Sequence, residues 1–457
     1  MPGHDNALRH PLARLRKQTG DSQLDFADRV ATAHERLGFG YVGSYRKKVS
    51  RWENWQATPS MPAQYAMAEI FRIPRDKVWG LGWPRWLHLA TGDAGRLSRP
   101  WTSPDTVDAL LEADRPTLDS PATYLTVTGP DVTYLTESWH RALAHRPPVV
   151  PCPQRRIDAR ALTALDAHVQ ALEAMLATVD PRTLLSAARG SLAVMTGLLR
   201  ASGYDQPTAS RLHLLAARSA EVCAVLMNCL GNGHRAEHYL LAAIRSATNA
   251  GASQAAAMFM GELASLHLDL GAPKDAFAMA DSALAATARI PGPQCSAFLY
   301  SRRARAQALL GGARAALRDL DLAHAALSSG PEDQAPSVGP DLGIDEQWLT
   351  VQAGAVWLHL GQPGRALERL APLISSASAL PSYPYFQVPR RALVAIDAQL
   401  ATGELDAAVH TARWALDTVG SMPPAFVSQY QQRFTGHRTP ATRELRERLT
   451  ASDHEMY

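Results

Sequence analysis

The chain has 457 residues, 46% hydrophobic and 19% charged, a balance that excludes a disordered polymer and leaves room for two to four ordinary cores. No run approaches the ~18 uninterrupted apolar residues of a membrane span. Met1 to Leu12 carries polar and charged side chains in place of a signal-peptide core, so a cytoplasmic location away from the membrane is expected. The net charge of +3 is uneven: residues 1–90 hold 14 basic and 8 acidic side chains, net +6, and the rest is net −3, which suits a polyanion at the N-terminal end alone.

The cysteines Cys152, Cys223, Cys229 and Cys295 form no C-x2-C pair, so neither a disulfide framework nor a metal knuckle is expected. Lysine is scarce and alanine, arginine and proline are abundant, as in proteins of high-GC bacteria.

The first predicted helix carries Leu12 and Leu15 three apart and stops at Gly20. Ser22 caps a second helix, with Asp25 three residues on as in a capping box, and Phe26, Ala27 and Val30 facing inward. A third helix follows Gly43, from Ser44 to Glu53, with Val49 and Trp52 as its apolar face. Tyr45, Arg46, Lys47, Lys48, Ser50 and Arg51 cover its other sides. Such a face suits a DNA groove: cations neutralise phosphates, and an arginine fork reads guanine. Pro59 and Pro62 precede a fourth helix, Ala63 to Phe71, with Ala63, Met67, Ile70 and Phe71 turned inward.

Residues 12–80 resemble the Xre/Cro-type helix-turn-helix family. The resemblance lies in Ser22-Gln23-x-x-Phe26-Ala27-x-x-Val30, in Val49-Ser50-Arg51-Trp52-Glu53, in Pro59-Ser60, and in Met67-Ala68-x-x-Phe71-x-Ile73-Pro74 with Val78. It implies that Gln23, Tyr45, Arg46, Lys47, Lys48, Ser50 and Arg51 contact double-stranded DNA, and that Arg16 and Glu53 pair for structural reasons. Two departures stand out. Ala31–Gly43 exceeds a compact turn, which extends the second helix through Leu37 and adds a glycine-rich loop, and Trp55 occupies a position where the family often has glycine. Gly38-x-Gly40-x-x-Gly43 imitates a dinucleotide fingerprint but follows a polar helix rather than a strand.

The tryptophan-rich stretch Val78 to Leu87 is expected to plug the N-terminal module onto the body. Residues 91–156, rich in Pro, Thr, Ser and Asp, read as a linker holding a helical piece at Val132–Ala144.

From Ile157 the pattern is helical. Gly231, Gly271, Gly311, Gly361 and Gly403 each close a helix, at separations of 40, 40, 50 and 42. Five residues after each lies alanine: Ala236, Ala276, Ala316, Ala366 and Ala408. Seven further on are Ala243, Ala283, Ala323, Leu373 and Ala415; seven before the glycines are Ala224, Ala264, Ala304, Gly354 and Ile396. Glycine permits the tight turn between antiparallel helices, and small side chains permit their close crossing. The longest spacing accommodates the Pro/Gly-rich insert Ser328–Asp345.

Residues 211–421 thus resemble the tetratricopeptide repeat with a lengthened period, and 157–205 continue or cap the array. The resemblance implies a concave face formed by the first helix of each pair, binding a peptide or protein through Arg218, Glu221, Asn228, Arg305, Trp348, Arg390 and Asp397. His234 and His238 lie four apart on one helix face; with no third ligand evident, no metal is expected. Phosphate-loop, H-E-x-x-H and G-x-S-x-G motifs are absent, so neither a catalytic residue nor a cofactor is expected.

The expected whole is an all-α chain with an N-terminal helix-turn-helix module (1–90), a linker (91–156) and a helical solenoid (157–457). The layout resembles peptide-responsive bacterial regulators of the RRNPP type, which implies a homodimer whose solenoid input alters operator binding. The alternative is an interaction adaptor with little DNA affinity.

Overall fold

The computed structural model describes residues 10–115, 124–145, 157–176, 178–201, 204–289, 292–329, 343–375 and 387–454. Among the described residues the chain is all-α, with no strand. It divides into two compact units. One comprises Met1–Pro100 and Thr117–Ser138, the other Trp101–Pro116 and Trp139–Tyr457.

The first unit contains α1 (Pro11–Gln18), α2 (Gln23–Arg36), α3 (Arg46–Glu53), α4 (Met61–Ile70), α5 (Arg75–Leu81), α6 (Leu87–Thr91) and α7 (Ala94–Ser98). Its core joins Leu12, Phe26, Val30, Val49, Met67 and Val78 to Trp86 and Leu87. Helix α2 starts in a complete capping box: Ser22 Oγ accepts from the Asp25 amide and Asp25 returns the bond to the Ser22 amide. It ends at Arg36, where Leu37 caps it and Gly38 opens the loop to α3. Trp86 is fully buried and donates Nε1–H to Gln64 Oε1 at 3.1 Å. The tryptophan-rich stretch is therefore built into the core of this unit, although Trp79 stays 79% exposed.

The expected linker is also largely built in. Helix α8 (Ser103–Asp114) belongs to the second unit, where Asn249 Nδ2 donates to Trp101 O at 3.2 Å and to Thr106 Oγ1 at 2.9 Å. Tyr124, Leu125 and Val127 are buried in the first unit. The first residues of α9 (Pro130–Ala144), through Ser138, belong there as well. Turn-forming residues sit in packed segments here because their polar groups are satisfied internally: Thr106 Oγ1 accepts from Asn249, and Asp131 Oδ2 pairs with His88 Nε2 at 2.9 Å. Cys152 lies outside the described residues.

In the second unit follow α10 (Ala159–Met175), α11 (Pro181–Arg200), α12 (Gln206–Cys229), α13 (Gly233–Ala250), α14 (Ser253–Asp269), α15 (Pro273–Thr287), α16 (Pro293–Leu309), α17 (Ala313–Ser328), α18 (Glu346–His359), α19 (Pro363–Ser375), α20 (Gln387–Thr402), α21 (Leu405–Val419), α22 (Pro424–Phe434) and α23 (Pro440–His454). Each of the five spaced glycines has a positive φ, +79° at Gly231 and +85° at Gly403. Each turn closes alike: the amide of the residue after the glycine reaches back to the carbonyl five residues before it, as Asn232 N–H does to Met227 O at 2.9 Å. The alanines five residues on are all buried. At Gly354 a methyl group would stand 2.9 Å from Leu370, so only a bare Cα fits between α18 and α19.

From α10 to α21 each helix packs on its chain neighbours, α21 packs also on α23, and α14, α16, α18 and α20 pack successively on one another. Helix α22 packs on both α20 and α12. Helix α12 is long and apolar enough to cross a membrane, but 83% of its apolar window is buried inside the fold. Of the insert Ser328–Asp345, residues 330–342 lie outside the described residues.

Candidate functional site

Helix α3 is gripped at its C-terminal end. Arg16 Nε donates to Glu53 Oε1 at 2.6 Å and Arg16 Nη2 to Glu53 Oε2 at 3.2 Å, with both side chains nearly buried. Arg16 Nη1 reaches Asp21 O at 2.7 Å, and Gln23 Nε2 donates to Glu53 Oε2 at 2.7 Å. One carboxylate thus ties α1, α2 and α3 together through bidentate, charge-assisted bonds. Gln23, expected to contact DNA, is half-buried and engaged here, with Arg46 Nε donating to its Oε1 at 3.3 Å.

Burying Val49 and Glu53 turns the opposite side of α3 outward. Arg46, Lys47 and Arg51 are exposed and Tyr45, its N-cap, is 61% exposed. Lys48 is half-buried, with Nζ donating to Gly43 O at 3.0 Å and standing 5.4 Å from the Tyr45 ring centre. Ser50 is half-buried, its carbonyl accepting from Asn54 Nδ2 at 2.7 Å. The outward face is therefore three exposed cations beside an aromatic ring, Arg46 among them still bonded to Gln23, with Lys48 and Ser50 at its margin.

Trp55 ends α3 in the left-handed region, φ +60°, where Gln56 N–H reaches Arg51 O at 2.9 Å. An indole accepts a glycine's conformation because its ring is engaged. It lies 4.2 Å from the His10 ring and against Gly129, where a methyl group would come within 3.0 Å. His10 caps α1 with Nδ1, which accepts from Leu12 N–H at 3.1 Å. Burial, aided by nearby His88, lowers its pKa to about 3, so it stays neutral.

The second unit carries a charged face along its even-numbered helices. Arg218, on α12, is closed by Glu173 (2.8 and 2.6 Å) and Asp166 (2.8 Å) from α10. Glu221 is 2% exposed. Burial pushes its pKa well above the usual carboxylate value, with help from Glu262 and Glu173 and against Arg218. On α20, Arg390 Nη2 donates to Asp269 Oδ2 of α14 at 2.9 Å, and Arg305 of α16 stands 3.7 Å from the same carboxylate. Asp397 is held by Arg433 through bonds of 2.6 and 2.8 Å. Trp348 is 4% exposed, stacked on Phe298 with ring centres 5.8 Å apart.

Of the expected groove residues, Arg218, Glu221 and Trp348 are therefore wall rather than open surface: Arg218 is covered by the acids of α10, Trp348 by Phe298, and Glu221 is buried with the acidic Glu173 and Glu262 acting on it. Arg305 and Arg390 converge on one carboxylate, while Asn228 is half-buried on α12.

Sequence reasoning missed the partners Glu262, Asp269 and Arg302. Arg302, 4% exposed, bonds Gln352 Oε1 at 2.7 Å and lies 4.5 Å over the Phe298 ring; burial lowers its pKa to about 9. Burial likewise raises Glu262, against the pull of Arg302 and Arg390. Polar residues recurring on alternate helices were the available signal. Burial raises the thiols of Cys229 and Cys295 to about 12, which makes them inert.

The expectation that His234 and His238 lack a third ligand fails. Glu237, between them in the sequence, brings its carboxylate to both, with one donor atom from each residue within 4.8 Å of the others.

No protein-family model matches the chain, and no curated protein matches it.

Proposed function

We propose that this chain is a DNA-binding transcription regulator, with a helix-turn-helix of Xre/Cro type in the first unit and a TPR-like helical array in the second that takes a peptide or protein input. The observation that carries the reading is the outward face of α3. Arg46, Lys47 and Arg51 are exposed on a helix whose far side is fixed by the Arg16–Glu53–Gln23 contacts. A rigid helix presenting cations to solvent is what major-groove insertion requires, since phosphates position the helix and base edges are read from it. Tyr45, Lys48 and Ser50 lie beside that face and Gln23 supports it from α2. Asn228 bonds ligand backbone, while Arg305 and Arg390 offer guanidinium forks to a ligand carboxylate that displaces Asp269. The working species is a cytoplasmic homodimer whose two α3 helices span half-sites roughly 34–36 Å apart.

The test is duplex-DNA binding by the full chain as a function of salt. Binding should weaken with a steep log–log slope, and Lys47→Ala and Arg51→Ala should each flatten that slope by about one unit while the melting temperature holds. DNA affinity that ignores salt, or that both substitutions leave untouched, would favour an interaction adaptor built on the second unit alone.

A further inference from the structure

One further cluster, within the second unit, uses none of the residues discussed above as DNA or groove contacts. His234, Glu237 and His238 occupy one face of the first turns of α13, and their ligand atoms lie within 4.8 Å of one another. The two imidazole rings stand 4.1 Å apart, edge to face. All three side chains are buried: His234 is 1%, Glu237 0% and His238 4% exposed. From α14 comes a fourth group. His267 is fully buried, and its Nε2 lies 3.8 Å from Glu237 Oε1 while its Nδ1 lies 3.9 Å from Asp275 Oδ2 on α15. Among the described residues neither ring nitrogen of His267 has a hydrogen-bond partner.

A fully buried imidazole with two unsatisfied nitrogens is costly, since each lost hydrogen bond leaves a desolvation penalty of order 1–3 kcal/mol. The backbone pins it there: His267 O closes the turn to α15 by accepting Ala272 N–H at 2.7 Å. An ion placed among the four side chains removes the penalty. One His267 nitrogen would ligate the ion, and the other would face the Asp275 carboxylate, the usual arrangement that orients a metal-bound histidine. Imidazole and carboxylate donors with no thiolate match a borderline divalent ion such as Zn2+, and histidines at i and i+4 on a helix are a standard bite for it. Tetrahedral Zn–N bonds of ~2.0–2.1 Å would draw the α13 donors together by up to about 1.5 Å, within reach of side-chain rotation.

We propose that His234, Glu237 and His238, joined by His267, bind one divalent transition-metal ion of the zinc class, tying α13 to α14. Its role is to hold this helix pair, since the buried donors leave no open face for a substrate.

The experiment uses the full-length untagged chain, stripped with chelator and dialysed, then titrated with Zn2+ against a chromogenic chelator and, separately, with Co2+. The expected result is one Zn2+ per chain, a higher melting temperature, and intense visible Co2+ bands of the tetrahedral kind. Glu237→Gln and His238→Ala should each weaken Zn2+ binding by about tenfold or more. Wild-type protein that takes up neither ion, or gives only the weak octahedral Co2+ spectrum, overturns the site. So does one-to-one Zn2+ uptake that survives both substitutions undiminished, which would place the ion elsewhere. If His238→Ala fails to fold, the wild-type Co2+ spectrum and His267→Gln, expected to weaken binding and shift that spectrum, decide the matter.

Discussion

Glu53 and Arg16, 37 residues apart, meet side-on, Nε to Oε1 at 2.6 Å and Nη2 to Oε2 at 3.2 Å, in a pocket that hides both side chains from water. The pair determines where α3 ends and which of its faces looks outward. Removing one partner strands the other charge without its counter-ion. Glu53→Ala should cost the first unit about 3–5 kcal/mol, read as a fall in its melting transition by calorimetry of the full chain. An unchanged melt would mean that the pair is incidental to the fold.

Trp55 tests the balance between backbone strain and ring packing. Its left-handed φ costs about 1–2 kcal/mol for a non-glycine residue, and its ring contacts with His10 and Gly129 return that and more. Trp55→Gly loses the ring but relieves the strain; Trp55→Ala loses the ring and keeps the strain. The expected order of stability is wild type, then Trp55→Gly, then Trp55→Ala, by chemical denaturation. Alanine equal to or better than glycine would show that the strain is negligible.

His10 makes the first unit acid-sensitive. Its pKa falls from 6.5 in the unfolded chain to about 3 in the fold, so the unfolded chain binds the extra proton first. Below pH 6.5 stability is therefore lost, at about 1.4 kcal/mol per pH unit, until the folded value is reached. Burial is the main cause, and neighbouring His88 acts on His10 in the same direction. His10→Asn keeps a cap for α1 and carries no titrating group. Its melting temperature should fall less steeply than wild type between pH 7 and pH 4; parallel curves would refute the assignment.

Glu221 has the opposite linkage. Burial raises its pKa above the unfolded 4.5, so the fold favours the protonated acid. Stability is unaffected well below pH 4.5, declines as pH rises through the window between the unfolded and folded values, and stays lowered above it. Glu221→Gln should raise the melting temperature at pH 7.5, with the gain vanishing toward pH 4. A loss at neutral pH would mean that the Glu221 carboxylate is held charged by Arg218.

Much of the local structure is written in the chain itself. The Ser22/Asp25 box, Gly20 and the five spaced glycines mark helix ends because caps and left-handed turns depend on a few adjacent residues. The buried alanines at fixed offsets mark the crossings for the same local reason. The cationic composition of α3 and the Arg16–Glu53 pairing were legible as well, although the engagement of Gln23 with Glu53 was not. What only the tertiary structure decided is which polar groups meet. Nothing local brings Arg390 to Asp269 across 121 residues, Asn249 to Trp101 across 148, or His267 to Glu237 on the preceding helix. Those encounters follow from how the helices stack, and they turned an expected linker into two packed segments and several expected groove residues into buried wall. Sequence spacing sets the periodicity of a helix face; the identity of what lies opposite it, and so its exposure, its charge state and its ligands, is set by chain segments that no local pattern names.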